Sequence, residues 1–274
     1  MTKPSAANPF GITSRSSVLF VDAHPGSAVR HCGAVMRRAI NAGARVSRLI
    51  ACDGAAMFDE DRGPALAAQR VDEEHAGLAW IGVPLENITF LGFPDGGLEP
   101  LRHDYWRLEG LAYFDPWLGT DRVTAEHASR PGTPFFGESF FALVGEVIYL
   151  TSPTHIFTHS SRDRHSDHRA LNWFVKRAAA DALADGLLDS PPAVFEWLTY
   201  HTRVKWPPPG RIIPLAAARR LPVTGECVDF RPTRAEVRIK AQAWRCHLPS
   251  HGSAYVNRWM KENEIFWRTS VFDL

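Results

Sequence analysis

The stretch Val18-Leu19-Phe20-Val21-Asp22-Ala23-His24-Pro25-Gly26-Ser27-Ala28 decides how the fold is read. Residues 17–23 form a short apolar, β-branched and aromatic run with the length and composition of a buried strand. The run stops at an aspartate, a histidine and a Pro-Gly-Ser break. A helix is expected to follow from Ser27 to Asn41, with Val29, Gly33, Met36 and Ile40 on one face and Arg30, Arg37 and Arg38 on the other. His31 and Cys32, on the same helix, read as structural. Gly43 supplies a stop, and Arg45 to Cys52 reads as a second strand. Strand, helix and strand within about 35 residues make a βαβ unit, so parallel pairing and a right-handed crossover are expected.

The alternation continues outward from this unit. Asp53 to Gly63 reads as a loop, and Pro64 opens a helix that runs to about Trp80 and ends at Gly82. Asn87 to Leu91 is a third strand, closed by the turn Gly92-Phe93-Pro94-Asp95-Gly96-Gly97. Residues 99–136 hold many aromatics among Pro, Gly and charges, which marks a long functional loop rather than a disordered one. A helix over 140–150, a strand over 155–159, a helix over 167–184, strands over 193–200 and 226–230 and a helix over 233–247 complete the pattern. The expected class is α/β: a Rossmann-like, mostly parallel sheet with helices on both faces, in a single domain with an elaborated C-terminal third. Residues 1–16 are expected to be a flexible N-terminus and 17–274 the folded domain.

Composition narrows the function. The chain has 274 residues, 45% of them hydrophobic, enough for one large core. A net charge of +1 without a basic stripe argues against nucleic acid or an acidic membrane as partner. Cys32, Cys52, Cys227 and Cys246 show no paired spacing, so a reducing compartment is expected. The polar first seventeen residues have no apolar signal region, and no run of 18 apolar residues occurs. A soluble cytoplasmic protein acting on a small molecule is the expectation, with homo-oligomerisation left open.

The polar outliers fall where a parallel sheet binds ligands, beyond the carboxyl ends of its strands. His24, Asp95 and the loop 159–168 each follow an expected strand. The first turn lacks both the Gly-x-Gly-x-x-Gly of a dinucleotide site and the Gly-Lys-Ser/Thr of a P-loop. Imidazole there points instead to metal ligation or acid–base work. His165 and His168, three apart at a helix start, share a face.

These motifs together resemble the LmbE/PIG-L family of zinc-dependent de-N-acetylases. The family's Ala-His-Pro-Asp-Asp-Glu stands here as Ala23-His24-Pro25-Gly26-Ser27-Ala28, and its His-Pro-Asp-His as His165-Ser166-Asp167-His168. Leu91 to Gly96, Arg70 with Glu73 and Glu74, and Lys240 to Ser250 are similar to three further family segments, in order. The resemblance implies zinc held by His24 and His168, catalysis by His165 with Asp167 orienting it, and substrate contacts from Arg70 and Asp95. It implies de-N-acetylation of an N-acyl amino sugar or a related biosynthetic intermediate. The family's base, third ligand and following glutamate fall on Gly26, Ser27 and Ala28, so all three carboxylates are gone. Zinc is then expected only through a substitute. Asp22, two residues before His24 and so on the same side of the strand, is the first candidate, with Asp163 and His159 as others. Without one, the chain is a metal-free pseudo-deacetylase that binds a sugar or a partner, or an enzyme repurposed for a non-hydrolytic reaction.

Overall fold

The computed structural model describes residues 8–56 and 63–274. It has one seven-stranded sheet in the order β3-β2-β1-β4-β5-β7-β6. β1 (Ser17–Asp22), β2 (Arg45–Cys52), β3 (Ile88–Phe93), β4 (His155–His159) and β5 (Ala193–Trp197) are parallel. β7 (Glu264–Thr269) runs antiparallel to β5 on one side and to β6 (Glu226–Phe230) on the other. β1 is buried along its whole length, which is why it reads as a continuous apolar run rather than an alternating one.

Two layers of helices cover the sheet. α1 (Ser27–Asn41), α2 (Pro64–Ile81) and α7 (Arg234–Arg245) pack together on one face; α3 (Leu98–His103), α4 (Gly137–Thr151) and α5 (Ser166–Ala184) pack on the other. Each face has its own apolar core. One joins Val29 and Val35 to Trp244 and Phe266, and the other joins Leu19 and Val21 to Phe140 and Phe174. Short helices α6 (Leu215–Ala218), α8 (Leu248–His251) and α9 (Ser253–Arg258) lie in the C-terminal third. No helix among the described residues is long and apolar enough to cross a membrane.

The expected βαβ unit forms with the expected boundaries for α1 and β2. α3, α6, α8, α9 and β7 are additions, absent from the sequence reading. The N-terminal stretch expected to be flexible is packed from Phe10 on: its ring meets those of Phe157, Phe195, Phe230 and Phe266 at 4.9–5.5 Å. Residues 1–7 lie outside the described ones, as do 57–62 of the loop expected after β2. The aromatic segment 99–136 is mostly irregular. Its Trp106 packs on Trp173 and Phe174 of α5, and its Phe135 on Phe93 of β3, so these rings cover the sheet's second face.

The strand order reverses between β1 and β4, whose chain successors leave on opposite faces. A crevice opens at such a point, outside the carboxyl ends of the strands. That crevice is where the sequence's polar outliers converge.

Candidate active site

His24 leaves the end of β1 and Asp95 the end of β3, while His165 and Asp167 sit at the start of α5. His24 Nε2 lies 2.8 Å from Asp95 Oδ1 and 3.1 Å from Asp167 Oδ2. The same Asp167 carboxylate accepts the backbone N–H of Gly96 (2.7 Å) and of Leu98 (3.1 Å). It therefore clamps the β3–α3 turn against His24. The role expected for Asp167, orienting His165, is not what the geometry gives. Asp167 turns inward to the turn and His24, and His165 touches it only through the Asp167 backbone N–H, accepted by its Nδ1 at 3.3 Å. His165 is thereby the cap of α5.

The ring of His24 stands 4.9 Å from that of His165 and 5.5 Å from that of His168. His168 faces away from the carboxylates around His24. Its Nδ1 lies 3.1 Å from Asp163 Oδ1, and its ring stacks on His159 at 3.6 Å. His159 Nε2 accepts the backbone N–H of Ala23, which ties β4 to the turn after β1.

Asp22 does not join this set. Its carboxylate is fully buried, accepts the Ala28 N–H at 2.6 Å and pairs with Arg48 at 2.8 Å. Arg48, on β2, also pairs with Glu74 at 2.8 Å, and Glu74 accepts the Gly26 N–H at 2.6 Å. The first turn of α1 is thus pinned by two carboxylates bridged through one buried guanidinium. β1 ends at Asp22, so the alternation expected to put His24 on the same side stops there, and the two side chains meet different partners.

Arg70 and Asp95 both reach the cavity. Arg70 donates to the carbonyls of Gly54 (2.9 Å) and Pro25 (3.0 Å) and lies 3.8 Å from Asp95. Gly54 is required there: a Cβ on it would fall 2.1 Å from the Arg70 guanidinium. Glu73, one turn further along α2, instead accepts the Ser250 N–H at 3.0 Å.

The sequence reading missed Arg30. It was placed on the polar face of α1, but that face is covered by the C-terminal third, and Arg30 is buried. Its Nη1 donates to the Tyr255 hydroxyl (2.6 Å) and its Nη2 to Ser27 Oγ (3.2 Å). Trp244, Tyr255 and Trp259 pack their rings around it at 5.1–5.6 Å. Only the contrast between Arg30 and the apolar Val29 and Ala34 beside it could have hinted at a buried role. The periodicity itself pointed outward.

Charge is distributed unevenly among the imidazoles. Burial opposes charge on His24, but Asp95 and Asp167 outweigh it and hold its pKa up at about 9. Burial pushes His165 down to about 4, helped by the nearby His24 and His168. Burial likewise lowers His168 and, further, His159. Burial disfavours charge on Asp95 too, but His24 and Arg70 prevail and keep the carboxyl well below the usual range. The site therefore holds a cationic His24 beside a neutral His165.

This distribution fixes a pH dependence. His24 is raised on folding, so its contribution is complete below about pH 6.5 and is lost as pH rises through 9. His165 is lowered, so its contribution is complete above 6.5 and is lost as pH falls toward 4. Unfolding free energy measured in urea across pH 6–9.5 is expected to fall by about 3 kcal/mol on the alkaline side. His24→Gln is expected to flatten that limb; an unchanged slope in the variant would contradict the assignment.

The zinc set implied by the family motifs does not fit these residues. The donors of His24 group with those of Asp95, His165 and Asp167, all within 4.8 Å of one another, whereas His168 groups with His159 and Asp163. The third position is the Ser27 hydroxyl, and the Arg30 guanidinium sits on it. A dication held by Ser27 would face the buried Arg30 cation, and the carboxylates near His24 are Asp95 and Asp167, outside the family's first motif. His24, Asp95, His165 and Asp167 are instead a different set of donors that could hold a metal ion, although His24 already bridges both carboxylates and Asp167 also accepts two backbone N–H groups.

Comparison with known proteins places this geometry in a family. The chain is similar in structure to N,N'-diacetylchitobiose deacetylase from Pyrococcus horikoshii (15% identity, 96% of this chain and 88% of that one, TM-score 0.58). It is similar to the 4-carboxy-2-hydroxymuconate hydratase GalB from Pseudomonas putida KT2440 (13%, 94% and 97%, TM-score 0.59). A zinc-inhibited form of the teicoplanin deacetylase Orf2 also matches (16%, 94% and 99%, TM-score 0.53). At these identities the likeness concerns the fold. Comparison with curated protein sequences found no match. The family model described as PIG-L, GlcNAc-PI de-N-acetylase, matches residues 19–179, more than half of the chain. The chain belongs to the GlcNAc-PI de-N-acetylase (PIG-L) family.

Proposed function

We propose that this protein hydrolyses the amide of a small N-acylated substrate, such as an N-acetyl amino sugar, with a histidine pair in place of the family's zinc and carboxylate base. One observation carries the reading: the imidazoles of His24 and His165 stand side by side, ring centroids 4.9 Å apart, on the wall of one cavity, in surroundings that raise the pKa of the first and lower that of the second. Neighbouring groups whose environments push their pKa values apart are the mark of acid–base partners. The cavity holds about 630 Å³, room for a sugar-sized ligand.

In this reading water attacks the acyl carbon and gives its proton to neutral His165. Cationic His24 faces the oxygen on which negative charge develops, its own charge sustained by Asp95 and Asp167. The proton on His165 then passes to the leaving nitrogen, the carbon–nitrogen bond breaks, and the amine and the acid depart. Arg70 and Asp95 hold the sugar side of the cavity. The structural relatives include an N,N'-diacetylchitobiose deacetylase and a teicoplanin deacetylase, which supports the substrate class.

The test is acetate release from N-acetylglucosamine and N,N'-diacetylchitobiose by chelator-treated protein. Turnover is expected to survive chelation, and His165→Asn is expected to lower kcat by about 10²–10⁴-fold. Loss of activity on chelation with recovery on zinc would overturn the metal-free reading. A second reading, a binding protein without turnover, is favoured by one fact: Asp95, the one carboxylate lining the cavity among the described residues, is already engaged by His24. Ligand-induced stabilisation without any product would decide for it.

A further inference from the structure

The cavity wall carries a charge that the proposed reaction does not use. Arg30 is 4% exposed, lines the cavity and, among the described residues, makes no ion pair with a carboxylate. Its two terminal nitrogens meet neutral hydroxyls, those of Tyr255 and Ser27, and its Nε is buried without any partner. A buried guanidinium without an anion is costly, and proteins rarely keep one unless a partner arrives. Three aromatic rings hold the guanidinium in place, which fixes the fork toward the cavity rather than toward solvent. Arg70 adds a second buried cation on the same wall, and the exposed Arg164 lies at the rim.

We propose that the ligand of this cavity is an organic acid, and that its carboxylate seats on Arg30 beside the Ser27 and Tyr255 hydroxyls. The chemistry fits a carboxylate better than a larger anion. One planar guanidinium flanked by two hydroxyls matches two coplanar oxygens of a single negative charge. Arg70 is already partly compensated, since it lies 3.8 Å from Asp95 and donates to the carbonyls of Gly54 and Pro25, whereas Arg30 meets only neutral hydroxyls. The position where the family keeps its third metal ligand has thus become half of an anion seat: Ser27 supplies a hydroxyl instead of a carboxylate, and Arg30 supplies a fixed positive charge. The inference deepens the proposed reaction by giving the charge of its substrate, but it stands on Arg30 and is read by binding alone.

The experiment is calorimetric titration of the whole protein at constant ionic strength with N-acetylmuramate and N-acetylneuraminate, whose carboxylates sit at different places. Neutral N-acetylglucosamine and N-acetylglucosamine 6-phosphate are the comparisons. At least one of the acids is expected to bind about 10–100-fold more tightly than the neutral sugar. Arg30→Met is expected to erase that preference, bringing the acids to the affinity the same variant shows for the neutral sugar. Arg30→Lys, which keeps the charge and loses the fork, is expected to fall in between and serves if the methionine variant does not fold. Equal affinity of the unaltered protein for both acids and the neutral sugar would overturn the proposal, as would tightest binding of the phosphate. The same titration on His165→Asn separates the two readings. Acid-selective binding in a protein that never turns over removes the reaction and keeps the anion seat, whereas turnover of the neutral sugar without selectivity does the reverse.

Discussion

Gly26→Asp, which puts back the carboxylate that the family uses as its base, is expected to lower folding stability by about 2–5 kcal/mol and to restore no zinc-dependent activity. Gly26 has a φ of +88°, a left-handed conformation that costs a residue with a side chain about 1–2 kcal/mol. The space is closed as well. A Cβ at position 26 would lie 3.0 Å from His247 Nδ1 and 3.1 Å from Trp244 Cζ3. An aspartate has further atoms to place, and overpacking of this kind adds about 1–3 kcal/mol. Its charge would also approach Glu74, which the Gly26 N–H already serves. Urea denaturation and zinc titration of the variant check the prediction; a variant as stable as the parent and binding zinc would show that the position is merely vacant. Gly26→Ala separates the contributions, since it carries the backbone strain and the Cβ contact without the charge.

Arg48→Met is expected to cost about 3–5 kcal/mol, because it strands Asp22 and Glu74 in a fully buried environment. Burial already lifts Asp22 to about 6 against the pull of Arg48. Without the guanidinium it rises further, so the variant regains stability as pH falls and the two carboxyls take up protons. The damage reaches the site. Asp22 and Glu74 hold the N–H groups of Ala28 and Gly26, and these set the path of the His24 turn. The double variant Arg48→Met/Asp22→Asn is expected to recover part of the loss. Chemical denaturation at pH 5 and pH 8 reads both effects, and a single variant within 1 kcal/mol of the parent would refute the bridging role.

These cases show where the sequence was legible. The βαβ opening could be read because its strands are buried on both faces and its helix has a strong apolar stripe, so local pattern and tertiary environment agree. β7 was missed because Glu264 to Thr269 mixes charge with aromatics in a strand whose partners, β5 and β6, lie far away in sequence. Arg30 was assigned to solvent because periodicity reports which face meets the sheet and says nothing about a second layer over the other face. Asp22 looked available as a ligand because alternation gives a side chain's direction but not its partners. Arg48, 26 residues later on the neighbouring strand, claims it. The site's location was legible for a sturdier reason: polar residues after successive parallel strands must gather at one edge.

The placement of β7 has a consequence for how the chain matures. Among the described residues β6 has no neighbour in the sheet except β7, and β7 follows the other six strands in chain order. A nascent chain emerging from the ribosome can pair β1 to β5 early, but β6 must wait, its edge unpaired, until β7 slides in between. β7 also brings Glu264, whose carboxylate accepts the N–H groups of Ala34 and Val35 in α1 and pairs with Lys240 of α7. The helix that carries Arg30 is therefore locked by the final strand. The pocket is finished only once β7 has docked, and a chain stalled or clipped before Glu264 would keep its parallel half while presenting an open strand edge to chaperones and proteases.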